Sequence, residues 1–231
     1  MTNPLWFDSA EQLQLAVADA FCELVERMPE GKEKFNVSLS GGSTPKRLYE
    51  LLSERKLPWN KIHWFWGDER NVPHDHTDSN YRMVQEALLG KVPVPPGNVH
   101  GVPVNVDNPV LAADTYNKTL LAHFGELPPR FDLVLLGMGD DAHTASLFPH
   151  TKALKETRRA FVANDVPKFD AYRYTMTAPA INAGDEIWFL VSGANKKVAY
   201  AQVTGDQRDV AEFPSQIIRP TRWYVTRDVV A

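Results

Sequence analysis

The chain has 231 residues, 43% of them apolar and 10% aromatic, and its 25 Lys and Arg against 29 Asp and Glu give a net charge of −4. Such a composition excludes disorder, and without a concentrated basic surface nucleic acid is an unexpected partner. No apolar run approaches the ~18 residues of a membrane span. Met1 to Asp8 lacks a signal peptide's basic segment and apolar core, and the single cysteine forbids an internal disulfide, so a cytoplasmic protein is expected.

Ser9 followed by Gln12 has the form of a capping box, and Leu13, Val17, Phe21, Leu24 and Met28 recur at helical spacing, predicting a helix from Ala10 to Met28. Cys22 lies in this pattern and reads as a buried, unreactive thiol. Phe35 to Leu39 is a short β-prone run that ends in Ser40-Gly41-Gly42-Ser43-Thr44-Pro45, after which Leu48, Leu51 and Leu52 resume a helical period. Thr44 suits an N-cap there, and Pro45 a first helical residue. An aromatic strand follows at Ile62 to Trp66, then a polar loop to Ser79 and a helix carrying Tyr81, Val84, Ala87 and Leu88. Asn108 and Pro109 open a helix through Phe124. Phe131 to Leu136 and Ile187 to Val191 read as central strands covered on both faces. A helix from Lys196 to Val203 and an edge strand at Trp223 to Val225 complete the chain. Strands alternating with helices predict a mostly parallel, Rossmann-like α/β sheet with right-handed crossovers, in one domain spanning 1–231.

In open parallel sheets ligands bind beyond the carboxyl ends of the strands. Gly41 to Thr44, Gly67 to Arg70, Gly137 to His143 and Gly193 to Lys196 all fall at such ends. The turn Gly41, Gly42, Ser43, Thr44 brings bare backbone to a helix start, where free N–H groups and the helix dipole attract an anion. It matches neither a Walker sequence nor a dinucleotide fingerprint. Asp140, Asp141 and His143 put two carboxylates and an imidazole in one Gly-rich loop. One Asp can orient His143 while His143 takes a proton from water attacking a carbonyl. The bland alternative has an Asp capping the next short helix and His143 packing. Asp68-Glu69-Arg70 can equally be a solvated salt-bridge cluster, although its rim position makes Arg70 a candidate to hold developing negative charge. Arg173 and Lys196 would suit a dianionic substrate. No His, Cys and carboxylate set has the short spacing of a metal site; His74 and His76 with Asp75 and Asp78 come closest, and loop histidines of this kind are usually solvated. Neither a metal nor a cofactor is expected.

Ser-Leu-Ser-Gly-Gly-Ser-Thr-Pro at 38–45, Gly-Asp-Glu-Arg at 67–70 with Ser-Asn-Tyr at 79–81, Gly-Met-Gly through Ala-Ser-Leu-Phe-Pro at 137–149, and Arg-Tyr-Thr-Met-Thr at 173–177 resemble the 6-phosphogluconolactonase family, in that family's order and over nearly the whole chain. The resemblance implies a three-layer α/β/α sandwich and hydrolysis of 6-phospho-D-glucono-1,5-lactone to 6-phospho-D-gluconate, the second step of the oxidative pentose phosphate pathway. It carries the catalytic base onto His143 and its carboxylate partner onto Asp141. Substrate-anchoring roles fall on Gly41, Gly42, Ser43, Thr44, Arg70, Arg173 and Lys196, with Asp68 and Asn80 as neighbouring binding candidates from the matched segments. The expected partner is a small sugar-phosphate lactone, and the expected state a monomer or weak homodimer. Ala142 stands where that family usually has glycine, and would be strained by about 1 kcal/mol or more if the position requires positive φ.

Two other readings compete. Sugar-phosphate deaminases on the same fold continue the His loop with an acid before proline, whereas here Phe148 precedes Pro149. A non-catalytic sugar-phosphate sensor would need an output module, for which a chain filled by one domain leaves no room.

Overall fold

The strands predicted from apolar runs lie side by side in a seven-stranded sheet at the centre of the computed structural model, which describes residues 3–230. In chain order the elements are β1 (Leu5–Phe7), α1 (Ala10–Glu26), β2 (Phe35–Leu39), α2 (Ser43–Ser53), β3 (Ile62–Trp66), β4 (Asp68–Arg70), α3 (Asn80–Val84), β5 (Val99–His100), α4 (Pro109–Phe124), β6 (Leu133–Gly137), β7 (Phe161–Val166), β8 (Ala171–Met176), α5 (Ala178–Asn182), β9 (Glu186–Val191), α6 (Lys197–Thr204) and β10 (Arg222–Thr226). The sheet order is β1-β10-β9-β6-β2-β3-β5, with every pairing parallel. Helices cover both faces, giving the expected α/β/α sandwich, and so the strands have no solvated face. All five residues of β3 and the run Leu133 to Leu136 of β6 are buried. Phe21 of α1 stacks on Trp64 of β3 with ring centroids 6.0 Å apart.

Strand order reverses beside β2: β3 and β5 lie to one side, whereas β6, which follows them in sequence, lies on the other. A crevice opens at such a switch point. The loops leaving β2 and β6 are the two Gly-rich segments, so the topology itself brings residues 40–44 and 137–143 together.

The predicted helix ends hold in part. Ser9 caps α1 by accepting from the Gln12 amide at 3.2 Å, but the Gln12 side chain returns to the Asp8 N–H at 3.1 Å, one residue earlier than a capping box would place it. Asn108 caps α4 and Pro109 is its first residue. In α2 the helix starts at Ser43, with Gly42 in the N-cap position at φ 105° and no side-chain cap; Thr44 is not the cap, and Pro45 lies inside the first turn. That shift leaves the backbone N–H groups at the helix start uncapped by protein. Cys22 is half-buried rather than buried, and burial raises its thiol pKa, in keeping with an inert role.

Two features correct the strand reading. Trp223 to Val225 is not an edge: β1 pairs outside it, Trp6 opposite Val225, and three residues are too few to display a period in sequence. A second, antiparallel sheet of order β4-β8-β7 stands apart from the main one, built around the hairpin β7–β8. Its Arg70↔Arg173 register joins two segments distant in sequence.

Candidate active site

Beyond the carboxyl ends of β2 and β6, Ser40, Gly41, Gly42, Asp68, Arg70, Gly137, Met138, Gly139, His143, Ala145 and Lys196 line a cavity of about 200 Å³. A neighbouring cavity of about 360 Å³ shares Gly42 and Arg70 and adds Ser43, Lys46, Asn80 and Arg82. Two glycines are needed because other groups approach their backbone. A Cβ on Gly41 would meet the Asn80 carboxamide at 2.0–2.7 Å, and one on Gly139 would meet the His143 ring at 2.0–2.2 Å.

The loop after β6 is held from several sides. The Gly139 amide donates to the His143 carbonyl at 2.8 Å, the Thr144 hydroxyl to the Gly137 carbonyl at 2.8 Å, and the Ser215 amide and hydroxyl to the Ala142 carbonyl at 2.9 and 2.7 Å. Ala142 is wholly buried with φ 60°, so the position does require positive φ and alanine carries the strain. The tight turn brings Asp141 Oδ1 within 2.5 Å of His143 Nδ1. Asp140 is exposed and makes no such contact, which settles the geometry in favour of Asp141. The other Asp141 oxygen accepts from Lys168 Nζ at 2.7 Å. Burial alone would raise the Asp141 carboxyl, but the hydrogen bonds from His143 and Lys168 outweigh it and hold the group well below the usual carboxylate range. The His143 ring stacks on Phe148 at 4.1 Å between centroids. Its Nε2 has no hydrogen-bond partner among the described residues and belongs to a ring that lines the cavity.

Asp68 and Glu69 are not a solvated cluster: both are buried. Asp68 accepts from the Ser146 hydroxyl at 3.0 Å. Glu69, wholly buried, accepts from the backbone N–H groups of Arg70 (2.8 Å), Asn80 (2.7 Å) and Tyr81 (2.7 Å) and from the Ser79 hydroxyl (3.2 Å). It closes the start of α3 onto β4 and so fixes Arg70 and Asn80 at the cavities. Burial pushes its carboxyl up, partly offset by the three amide hydrogen bonds. The Arg70 guanidinium reaches the Asp78 carbonyl and lines both cavities. Lys196 lines the first cavity, and Gly42 and Ser43 the second.

Two expected binding residues, Thr44 and Arg173, stand differently. Thr44 lines neither cavity, and its carbonyl faces α1, accepting from Gln14 at 3.4 Å. Asn80, although buried, does line the second cavity, and donates to the Asp68 carbonyl at 3.0 Å. Arg173 lies over the Phe169 ring at 5.2 Å rather than in either cavity; burial, then the nearby Arg70, lowers its pKa. Lys46, Lys168, Phe148 and Glu69 were missed. Lys46 was accessible in sequence, one turn into the helix after the Gly-rich run; Lys168 and Phe148 have no spacing that announces them. His74 bonds the Val102 carbonyl at 2.8 Å and stacks on Tyr81.

Residues 8–227 match the family described as glucosamine-6-phosphate isomerases/6-phosphogluconolactonase. The chain belongs to this family. A 6-phosphogluconolactonase of Nostoc sp. is 49% identical over 190 residues, covering 81% of this chain and 78% of that one. One from Mycobacterium tuberculosis is 37% identical, covering 84% and 83%. The solved 6-phosphogluconolactonase of Thermotoga maritima superposes with a TM-score of 0.85 at 30% identity, covering 98% of this chain and all of that one. Within the family, the chain is thus similar to members bearing the lactonase name.

Proposed function

We propose that this chain hydrolyses 6-phospho-D-glucono-1,5-lactone to 6-phospho-D-gluconate, the second step of the oxidative pentose phosphate pathway, as a single cytoplasmic domain that needs no cofactor. The observation that carries this reading is the Asp141–His143 pair, whose free imidazole nitrogen belongs to a cavity also lined by Arg70 and Lys196. Asp141, kept ionised by its hydrogen bonds from His143 and Lys168, holds the proton on Nδ1 and leaves Nε2 as the acceptor. His143 takes a proton from water as its oxygen attacks the lactone carbonyl. The tetrahedral intermediate collapses with cleavage of the ring C–O bond, and His143 returns the proton to the departing ring oxygen. Arg70 offers positive charge to the developing oxyanion. The phosphate is anchored by the uncapped N–H groups at the start of α2 and by Lys46 and Lys196, with Asp68 and Asn80 shaping the wall.

The test is a time-resolved assay on freshly made 6-phosphogluconolactone, corrected for spontaneous hydrolysis. Catalysed ring opening well above background is expected. No acceleration over background, with the protein folded, overturns the proposal.

A further inference from the structure

The sequence spacing shows no metal motif, yet the fold assembles three histidines at the end of the sheet away from the lactone site. His63 lies near the start of β3, His100 on β5 and His123 in the last turn of α4. One ligand atom from each falls within 4.8 Å of the others. His63 Nδ1 is 3.1 Å from His100 Nε2. Ring centroids are 5.4 Å apart for His63 and His100, 4.8 Å for His63 and His123, and 5.0 Å for His100 and His123. His63 is the second residue of β3, whereas Asp68, which lines His143's cavity, follows the carboxyl end of that strand, so His63 lies toward the opposite end of β3 from the cavity.

We propose that His63, His100 and His123 bind one divalent transition-metal ion of the zinc class, at a site separate from the lactone cavity. Imidazole suits zinc, and three protein nitrogens with water in the fourth position form a complete tetrahedral shell. Zinc–nitrogen bonds of ~2.0–2.1 Å put two ligand nitrogens about 3.3 Å apart, close to the observed His63–His100 separation. In the empty pair one nitrogen must donate to the other, and the metal displaces that proton. His123 is oriented from outside: its Nε2 lies 2.7 Å from the Asn36 carboxamide oxygen, which fixes the proton there and leaves Nδ1 with the free lone pair. The helix C-terminus at His123 favours a cation. His100 and His123 are half-buried, which gives the ion a route in. Among the described residues the opposing charge is Lys34, exposed, yet near enough to act on all three imidazoles. The bound ion would tie the two-residue edge strand β5 to β3 and α4.

Chelator-treated protein is titrated with Zn²⁺ by calorimetry, and with Co²⁺ by visible absorption, which reports tetrahedral coordination. The wild type is expected to bind one equivalent saturably, and to gain about 5–10 °C in Tm at 100-fold excess over Kd. Affinity should fall about tenfold or more in His123→Gln, His63→Gln and Asn36→Ala, and rise in Lys34→Gln. His123→Gln, on a partly exposed helix end, keeps the test open if His63→Gln does not fold. His143→Ala should bind as the wild type does. Absence of saturable one-to-one binding in the wild type, binding undiminished in His123→Gln, or binding lost in His143→Ala overturns the proposal.

Discussion

Glu69 organises one wall of the site, and replacing it measures how much of the wall depends on a single carboxylate. Glu69→Ala removes the acceptor of three backbone N–H groups and one hydroxyl. Each buried donor left unpaired costs ~1–3 kcal/mol, and water entering the vacated space satisfies some of them, so a loss of about 4 kcal/mol is expected. For a chain of this size that corresponds to roughly 8–16 °C in Tm. Glu69→Gln keeps the oxygen that accepts from Arg70 and Asn80 but turns an N–H₂ toward the Tyr81 amide, so about 1–3 kcal/mol should go. Thermal and urea unfolding read both variants. The kcat/KM of any Glu69→Ala that folds should fall too, because Arg70 and Asn80 lose their anchor. If Glu69→Ala melts within about 2 °C of wild type, the carboxylate is not the organiser inferred here.

The uncapped start of α2 with Lys46 and Lys196 predicts selectivity for the phosphorylated substrate. Charge-assisted hydrogen bonds contribute ~1.5–3 kcal/mol each, so glucono-1,5-lactone should show a much lower kcat/KM, and Lys196→Ala should shrink the gap between the two lactones. Equal efficiency on both in the wild type would remove the phosphate-binding role. The Asp141 carboxyl is depressed in the folded state, so its contribution to stability is present above its ordinary value of 3.8 and lost as pH falls below it. The urea midpoint difference between wild type and Asp141→Asn should therefore narrow as pH falls below about 4; a difference that widens over that range contradicts the assignment. Chelator treatment should leave the lactonase rate unchanged, since the proposed chemistry uses imidazole and water alone. Loss of rate restored by one metal would refute that.

The alternation of apolar runs with helical periods was enough to predict the parallel sheet, because strands such as Leu133 to Leu136 are covered on both faces and carry no polar interruption. The loop after β6 was legible for the same reason: acids and a histidine are conspicuous immediately after such a strand. β7 and β8 were passed over although Tyr172, Tyr174 and Met176 alternate with Arg173 and Thr175; with them went the hairpin that carries Lys168 to Asp141. Glu69 could not be read from sequence, because an acid between an Asp and an Arg resembles a surface charge run until its three N–H partners are known. The cluster of His63, His100 and His123 exists only through the β3–β5 pairing and the return of α4, at separations that no spacing rule covers.

The base assigned to His143 is tested most directly by comparing wild type and His143→Ala on freshly made 6-phosphogluconolactone under rapid sampling, with both proteins shown to be folded. A positioned general base contributes ~10²–10⁴-fold, so the variant should lose that much kcat while largely keeping its affinity for the phosphorylated ligand. A variant that opens the lactone at close to the wild-type rate above background would contradict the account.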